Sequence, residues 1–291
     1  MAWLETYRGT VFAWEVDAVE HFTVAYYFDR FEDATILLLA ALGLGPEYMA
    51  REGRGCVTTE CFVRYTRELR KGDVMYVQSG IVAADAQGLT LGHKLFDSAD
   101  GALCSTVEQR AVHVDLKTCT PIPLAAELRC RADDFRVPWD GPARERRPQP
   151  RGVEGFVEAA RDTVKAREMS VFGQSALSCY IHRFSAAGAN CFSSWGMTPA
   201  YMREEHRGMS TFEFQLAIHG PLRTGDRVEV KSGLLHLGNT SIRVFHKMFV
   251  EGALVASLDQ LGVHLDMDAR RPGRIPEALR AKAVIAPTDP A

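Results

Sequence analysis

The stretch P-E-Y-M-A-R-E-G-R-G at residues 46–55 returns as P-A-Y-M-R-E-E-H-R-G at residues 199–208. Six of the ten positions are identical, and the two stretches are 153 residues apart. Self-similarity at a fixed offset is the signature of a repeated structural unit. We therefore interpret the chain as one architecture used twice.

The same offset holds without a gap over a longer part of the chain. It aligns, for example, Arg30 with Arg183 and His93 with His246. After a two-residue deletion, G-A-L-C-S-T-V-E-Q-R-A-V-H-V-D at 101–115 matches G-A-L-V-A-S-L-D-Q-L-G-V-H-L-D at 252–266, with seven of fifteen positions identical. The length of 291 residues, about twice a modal domain, agrees with a duplication.

Each copy predicts a strand, a buried helix and a meander of four strands. In the first copy we expect the strand at 7–16, the helix at 25–42 and the meander at 57–66, 73–84, 89–97 and 103–115. The helix of the second copy is expected at 179–194. This order predicts an α+β fold in which a curved antiparallel sheet wraps around one long helix.

The pattern divides the chain into four parts. We place the first domain at 1–120, a linker at 121–152, the second domain at 153–268 and a C-terminal tail at 269–291. The linker holds six prolines and the cluster R-E-R-R at 144–147, a composition typical of a solvated, partly extended segment. The tail, rich in Pro and Arg, is expected to be loosely held.

Composition excludes several classes of protein. A formal charge of −3 and a pI near 6.3 argue against binding to nucleic acid or anionic membranes. The longest apolar run, at 34–44, is too short to cross a bilayer. Seven cysteines without C-x-x-C spacing indicate neither a zinc site nor a disulfide framework, and the first seven residues lack a secretory pattern. We expect a cytoplasmic protein.

Four motifs of the first copy carry a family resemblance: F-E-D-A-T at 31–35, T-T-E-C-F-V-R at 58–64, H-K-L-F at 93–96 and E-Q-x-x-V-H-V-D at 108–115. Together they resemble acyl-CoA thioesterases of the hotdog fold, above all the betainyl-CoA thioesterase domain associated with carnitine dehydrogenases. The resemblance covers residues 8–120 and, more weakly, 160–268. It implies a tandem hotdog fold and hydrolysis of a small acyl-CoA, with betainyl-CoA as one candidate.

The family carries its chemistry in a D-x-N-G-H-M-type segment just before the helix, which here reads V-D-A-V-E-H-F at 16–22. Asp17 and His21 match the catalytic acid and histidine, whereas Val19 and Glu20 replace the Asn-Gly pair. The second copy has Ser170 and Gln174 at the equivalent positions, neither of which can do acid–base work. At most one such site per chain is therefore expected.

The chemistry of thioester cleavage agrees with that placement. A carboxylate can attack the carbonyl carbon or activate water, and the free N–H groups of a helix N-terminus can stabilise the developing oxyanion. This reaction requires no metal and no cofactor. From residue type and position alone, an Asp before a helix is equally a capping or turn residue.

Three further residues are candidate substrate contacts. Glu60 and Glu213 are equivalent strand positions, each two residues after a threonine, so each is expected to share one face of its strand with that threonine. They either serve the site or make a hydrogen bond needed for folding. Tyr26, with Tyr27 and Trp14, is a candidate for a cation–π cage around a trimethylammonium group. We expect Glu213 or its neighbours to face Asp17 across a seam between the copies.

The sequence leaves two other functions open. A hotdog enoyl-CoA hydratase resembles D-x-N-P-x-H, with five residues from acid to histidine, whereas the spacing from Asp17 to His21 is four. The lost Asn-Gly pair and the degenerate second copy suit a non-catalytic acyl-CoA-binding protein. The two copies are expected to pair as an intrachain pseudo-dimer with one continuous sheet, and a homo-oligomer of pseudo-dimers is a further option.

Overall fold

The computed structural model describes residues 3–289 and contains the two predicted copies. The elements of the first copy are β1 (Leu4–Thr10), α1 (Val24–Ala41), α2 (Pro46–Glu52), β2 (Arg54–Tyr65), β3 (Val74–Asp85), β4 (Gly88–Asp97), β5 (Leu103–Asp115) and α3 (Ala126–Asp133). Those of the second are β6 (Val157–Thr163), α4 (Leu177–Ser194), α5 (Pro199–Glu205), β7 (Arg207–Ile218), β8 (Arg227–Leu237), β9 (Ser241–Val250), β10 (Ala253–Asp266), β11 (Arg271–Pro272) and α6 (Glu277–Arg280).

Helices α1 and α4 and the meander of the first copy lie within about three residues of their predicted bounds, and the second copy repeats the meander. The first strand is a correction, because it covers 4–10 rather than 7–16. The chain leaves the sheet after Thr10 and forms a short 3-10 turn at Ala13–Glu15. The buried Glu15 carboxylate accepts a hydrogen bond from Phe12 N–H at 3.0 Å and holds that turn. No helix of the described residues 3–289 is long and apolar enough to span a membrane.

One continuous antiparallel sheet runs through both copies, in the order β1-β3-β4-β5-β2-β7-β10-β9-β8-β6, with β11 paired to β10. The copies join where β2 pairs with β7, from Glu60 opposite Ala217 to Arg64 opposite Glu213. At the centre of this seam Phe62 lies opposite Gln215, its own equivalent in the repeat. The seam is therefore a local two-fold axis, and the predicted pseudo-dimer is confirmed.

The two long helices pack together on one face of the sheet. Their aromatic side chains share one core with residues of β7, as in the contact of Phe28 with Phe214, whose ring centroids are 6.4 Å apart. Phe31 of α1 and Phe184 of α4 are fully buried in this core. Because one core contains both copies, neither helix is covered without the other copy.

The opposite face of the sheet carries the chain between the copies. Arg144 pairs with Glu60 and donates to Gln215 Oε1 at 3.1 Å, and Arg147 pairs with Glu213 at the seam. Further along, Lys247 Nζ donates to the carbonyls of residues 150, 151 and 152 at 2.6–3.0 Å. The expectation of a solvated basic cluster is wrong for Arg144 and Arg147, because internal carboxylates were available to pair with them.

The C-terminal residues are packed rather than loosely held, which corrects the expectation from their composition. Ile275, Leu279 and Ala286 are buried against the second copy. Ile285 forms a parallel bridge to Leu234, as Arg136 does to Ile81 in the first copy. Each meander is thus followed by a segment that covers the sheet in the same way.

The arginine at the seam offers a test of this architecture. We expect Arg147→Met to lower the free energy of unfolding by about 2 kcal/mol, because it removes one partner of a largely buried ion pair while Arg64 still pairs with Glu213. Arg146→Met changes the exposed neighbour and should stay within about 0.5 kcal/mol of the parent. Urea denaturation measures both, and equal midpoints for the two variants would contradict a structural role for Arg147.

Candidate active site

The segment between the first strand and α1 forms a tight turn built by Asp17. Its backbone N–H donates to the His21 carbonyl at 2.9 Å, and its Oδ1 accepts the N–H groups of Val19 and His21, each at 3.0 Å. This uses one carboxylate oxygen for structure and leaves Oδ2 available. The capping interpretation and the catalytic one are therefore compatible in the same side chain.

The Val19-Glu20 pair, which departs from the family pattern, has a backbone consequence. Glu20 adopts a φ of +63°, a left-handed conformation that favours glycine. The equivalent Gly173 of the second copy has a φ of +72°. The turn has thus kept its backbone shape although the glycine was replaced, and Val19 is buried where the family has asparagine.

A buried ion pair ties the turn to α1. The Glu15 carboxylate accepts a hydrogen bond from Arg30 of the helix, and Thr23 N–H donates to the Glu15 carbonyl at 2.8 Å. The second copy repeats this arrangement with Glu168 and Arg183, 2.7 Å apart. Both copies therefore have the Glu–Arg ion pair that supports the turn, whereas only the first copy has an aspartate in the turn.

His21 lies beside a carboxylate that sequence reasoning missed. Its Nε2 is 2.7 Å from Glu68 Oε2, in the loop that follows β2. Arg270, from the second copy, donates to Glu68 at 2.6 Å and to the Val19 carbonyl at 3.0 Å. The sequence signal at Glu68 was weak, since an acidic residue between Arg67 and Arg70 is typical of a surface loop.

These groups have shifted acidities. Desolvation raises the pKa of Asp17, opposed by hydrogen bonding to the His21 backbone N–H and by the charge of His21. Desolvation also lowers the pKa of His21, against the nearby charges of Asp17 and Glu68. Burial would raise the pKa of Glu68, but hydrogen bonds from Arg270 and Arg70 hold it below its ordinary value. Near neutral pH the site therefore combines the Glu68 carboxylate with a mainly neutral His21 imidazole.

A cavity of about 480 Å³ opens beside this turn, at the seam. The turn with Tyr27, Tyr65 and Glu68 forms its wall on the first copy, and α4, α5, β7 and β10 form the wall on the second. Its second-copy side is largely apolar and includes Phe192, Met197, Met202, Met209, Phe212, Val263 and Leu265. A depression of about 670 Å³ near β6 involves the second copy alone and none of the predicted site residues. The expected location at the junction therefore agrees with the cavity beside Asp17.

The N-terminus of α1 opens onto this cavity. Val24 and Thr23 are among its lining residues, and no side chain within residues 3–289 caps the helix. Tyr26 N–H donates to the Thr23 carbonyl at 2.9 Å, whereas the N–H groups of Val24 and Ala25 have no partner in the described part of the chain. Of these two residues, Val24 lines the cavity, so its N–H is a free backbone donor beside Asp17, with the positive end of the helix dipole behind it.

The equivalent place in the second copy is closed. The Glu32 carboxylate of α1 accepts the Leu177 N–H at 2.8 Å and the Ser170 hydroxyl, so the N–H equivalent to that of Val24 already has an acceptor within the protein. Phe172 and Thr35 help to close the space, and the remaining cavity measures about 10 Å³, room for no more than one water. The expected asymmetry between the copies is therefore present in shape as well as in residue type.

Glu60 and Glu213 do not reach the cavity. A β-bulge between Thr58 and Glu60, repeated at the equivalent place in β7, turns each glutamate to the face opposite its threonine, so the expectation of a shared face is wrong. Glu213, only 3% exposed, is held by Arg64 and Arg147. Of the expectation that Glu213 or its neighbours face Asp17, the part that concerns Glu213 itself is wrong. Its neighbours at residues 209–212 do line the cavity.

The aromatic residues predicted as a cage are also dispersed. Tyr26 packs edge-on against His182 between the two helices, with ring centroids 5.3 Å apart. Trp14 is 71% exposed and stacks on Phe12. Tyr27 does line the cavity and meets Tyr65 at 5.0 Å, a partner that sequence reasoning did not identify. Helical periodicity could not separate Tyr26 from Tyr27, because both faces of α1 are covered.

The equivalent histidines His93 and His246 have a structural role. Ser232 contacts His246 Nδ1 at 2.7 Å, and Gln260 contacts His246 Nε2 at 3.0 Å and donates to Thr211 at 2.8 Å. Ser79, His93, Gln109 and Thr58 form the matching strip in the first copy. Complete burial lowers the pKa of His93 to about 3, so its imidazole is neutral and packed inside the fold.

Comparison with known proteins gives a family. The model of the thioesterase-like superfamily matches residues 11–132 and 164–283, one match per copy. A betainyl-CoA thioesterase of Pseudomonas aeruginosa is 28% identical over 130 residues, covering 45% of this chain and 82% of the relative. An L-carnitine dehydrogenase/betainyl-CoA thioesterase of Rhizobium meliloti is 29% identical over 119 residues, or 41% of this chain. The match spans only 24% of that longer protein.

Two solved structures share the architecture across both copies. The structure assigned to an oleoyl thioesterase of Lactobacillus plantarum has a TM-score of 0.71 at 15% identity, covering 91% of this chain and 97% of its own. The 12:0-ACP thioesterase of Umbellularia californica has a TM-score of 0.70 at 12% identity, covering 90% and 94%. These likenesses support the tandem hotdog fold. Since the family model matches both copies, the chain belongs to the thioesterase-like superfamily.

Proposed function

We propose that the chain is an acyl-CoA thioesterase with one active site, at the seam beside Asp17. One observation carries the proposal: the N-terminus of α1 presents the free Val24 N–H to the cavity that holds Asp17, whereas the equivalent Leu177 N–H of α4 donates to Glu32. The names of the curated relatives point to an acyl-CoA substrate, betainyl-CoA in their case.

In the proposed reaction the thioester carbonyl oxygen lies against the N–H group of Val24. The Asp17 carboxylate either attacks the carbonyl carbon or takes a proton from the water that attacks it. The carbon–sulfur bond then breaks, and the thiolate of coenzyme A leaves and takes up a proton. Attack by water gives the free acid directly, whereas direct attack leaves a mixed anhydride on Asp17, which water hydrolyses to the acid and the regenerated carboxylate. The free N–H stabilises the negative charge that builds on the carbonyl oxygen.

His21 and Glu68 act as positioning residues in this scheme. The His21 N–H fixes the Asp17 carboxylate, and the contact of its ring with Glu68 fixes the imidazole beside it. Arg270 holds Glu68 and the turn from the second copy. The site is therefore complete only when both copies are paired.

The acid is tested by substitution. We expect Asp17→Asn to lower turnover by about two to four orders of magnitude, because it removes the charge that attacks or accepts a proton. The melting temperature should not fall, since an Asn side-chain oxygen can accept the same two N–H groups. The assay is release of coenzyme A from acetyl-, octanoyl- and betainyl-CoA.

The matched control is Ser170→Ala at the equivalent position of the second copy. It should leave turnover within a few-fold, at the cost of a slightly lower melting temperature because Ser170 donates to Glu32. If Ser170→Ala abolishes hydrolysis while Asp17→Asn is harmless, the active site is in the other copy. A hydratase or a binding protein would release no coenzyme A from any of the three substrates.

The pH profile gives a second test. The active form of Asp17 is the carboxylate, and desolvation raises its pKa, so kcat/KM should rise with pH through a pKa above the ordinary aspartate range and then level off. The control is Asp33→Asn, since burial also raises the pKa of Asp33 but the residue lies outside the cavity. Asp33→Asn should keep the acidic limb. An acidic limb that persists in the residual activity of Asp17→Asn would assign it to another group.

A further inference from the structure

The part of α4 that lines the open cavity differs from the equivalent part of α1, which lines the closed space in the second copy. Gly188 of α4 lines the open cavity, and its equivalent Thr35 of α1 lines the closed one. One turn earlier, Ser185 stands where α1 has Glu32, the residue that caps the other helix. The open cavity therefore lacks counterparts of the Thr35 and Glu32 side chains, which help to close the equivalent space.

Glycine at 188 is not needed for packing. A Cβ built there would lie 3.6 Å from the nearest atom, Phe192 Cε2, and 3.9 Å from Gln260 and His246, which are ordinary contact distances. Alanine would also be the better helix former in the middle of α4. The space left by the missing side chain thus belongs to the cavity.

We propose that Gly188 determines substrate specificity by leaving room for an apolar acyl chain. The chain runs along α4 from the backbone N–H of Val24 toward Met197. This inference rests on the proposed function. The cavity follows α4 from Ser185 to Ser193, about 12 Å of helix, which is a suitable length for an extended medium-length chain.

The chemistry of the wall favours a hydrocarbon over a cation. The carboxylates that line the cavity are Asp17 and Glu68, both at the turn, and Glu68 is already paired with Arg70 and Arg270. Beyond them the wall consists largely of methionine, aromatic and aliphatic side chains, which offer dispersion contacts without a counter-charge. A quaternary ammonium group would find no carboxylate along α4 in the described residues.

The experiment compares chain lengths in Gly188→Leu. In the parent, kcat/KM should be higher for octanoyl-CoA than for acetyl-CoA or betainyl-CoA. Gly188→Leu should lower the octanoyl-CoA value about tenfold or more and the acetyl-CoA value less than about threefold, because the added side chain occupies the channel beyond the carbonyl. Ala186→Leu, on the exposed side of the same helix, should change neither value.

Two results would overturn the inference: an unchanged octanoyl-to-acetyl ratio in folded Gly188→Leu, or a parent that prefers betainyl-CoA. If Gly188→Leu does not fold, Gly188→Ala replaces it, with a melting temperature at or above that of the parent and a smaller loss in the same direction. An unchanged ratio in Gly188→Ala would then count against the inference.

Binding separates this inference from the proposed function. Calorimetric titration of octanoyl-CoA and acetyl-CoA into Asp17→Asn, with and without Gly188→Leu, measures selection of the chain without hydrolysis. A parent that releases no coenzyme A refutes the thioesterase proposal, while tighter octanoyl-CoA binding that Gly188→Leu abolishes still supports the channel. Equal affinities for the two ligands in Asp17→Asn would refute the channel alone.

Discussion

Pairing of β2 with β7 is the contact on which the rest of this structure depends. Five residue pairs, from Glu60–Ala217 to Arg64–Glu213, convert two half-covered units into one sheet. They bring α4 against α1 and the start of β7 close to the Asp17 turn. Without this contact the cavity would lose the wall formed by α4, α5, β7 and β10, and the shared aromatic core would be open to water.

In this fused chain the N-termini of α1 and α4, which are equivalent places along the seam, are unequal. A helix N-terminus at an internal junction needs an acceptor for its first N–H groups. At α4 the protein supplies Glu32 as that acceptor, and burial raises the pKa of this carboxyl group, opposed by the Ser170 and Leu177 hydrogen bonds. At α1 no such side chain is present among the described residues, and the Val24 N–H faces the cavity. Duplication allows this divergence because each copy can change its own half of either place.

The sequence predicted the architecture because periodicity and the repeat depend on local spacing. The helices, the meanders and the continuous sheet all follow from the alternation of apolar residues and from the need to cover one face of each sheet. The Thr58–Glu60 relationship failed because a bulge adds one residue, and a single extra residue reverses every side chain beyond it.

The site residues that were not predicted from the sequence were missed for a different reason. Glu68 and Arg270 are 202 positions apart and meet only after the copies pair, so no local pattern could link them. The same holds for Arg147 and Glu213, whose ion pair crosses the seam on the face opposite the helices. Asp17 and His21, by contrast, were accessible to sequence reasoning because one turn contains both.

Within residues 3–289 the sheet is long but open, so β1 and β6 remain as edges with one unpaired side each. Such edges present free backbone donors and acceptors to any other extended chain. Both carry exposed charges: Glu5 with Arg8 on β1, and Glu158 with Arg161 on β6, where Arg161 also contacts Glu229. Another strand could add to either edge only by displacing these ion pairs and desolvating their charges, so the same residues that look dispensable on the surface protect the molecule from edge-to-edge aggregation.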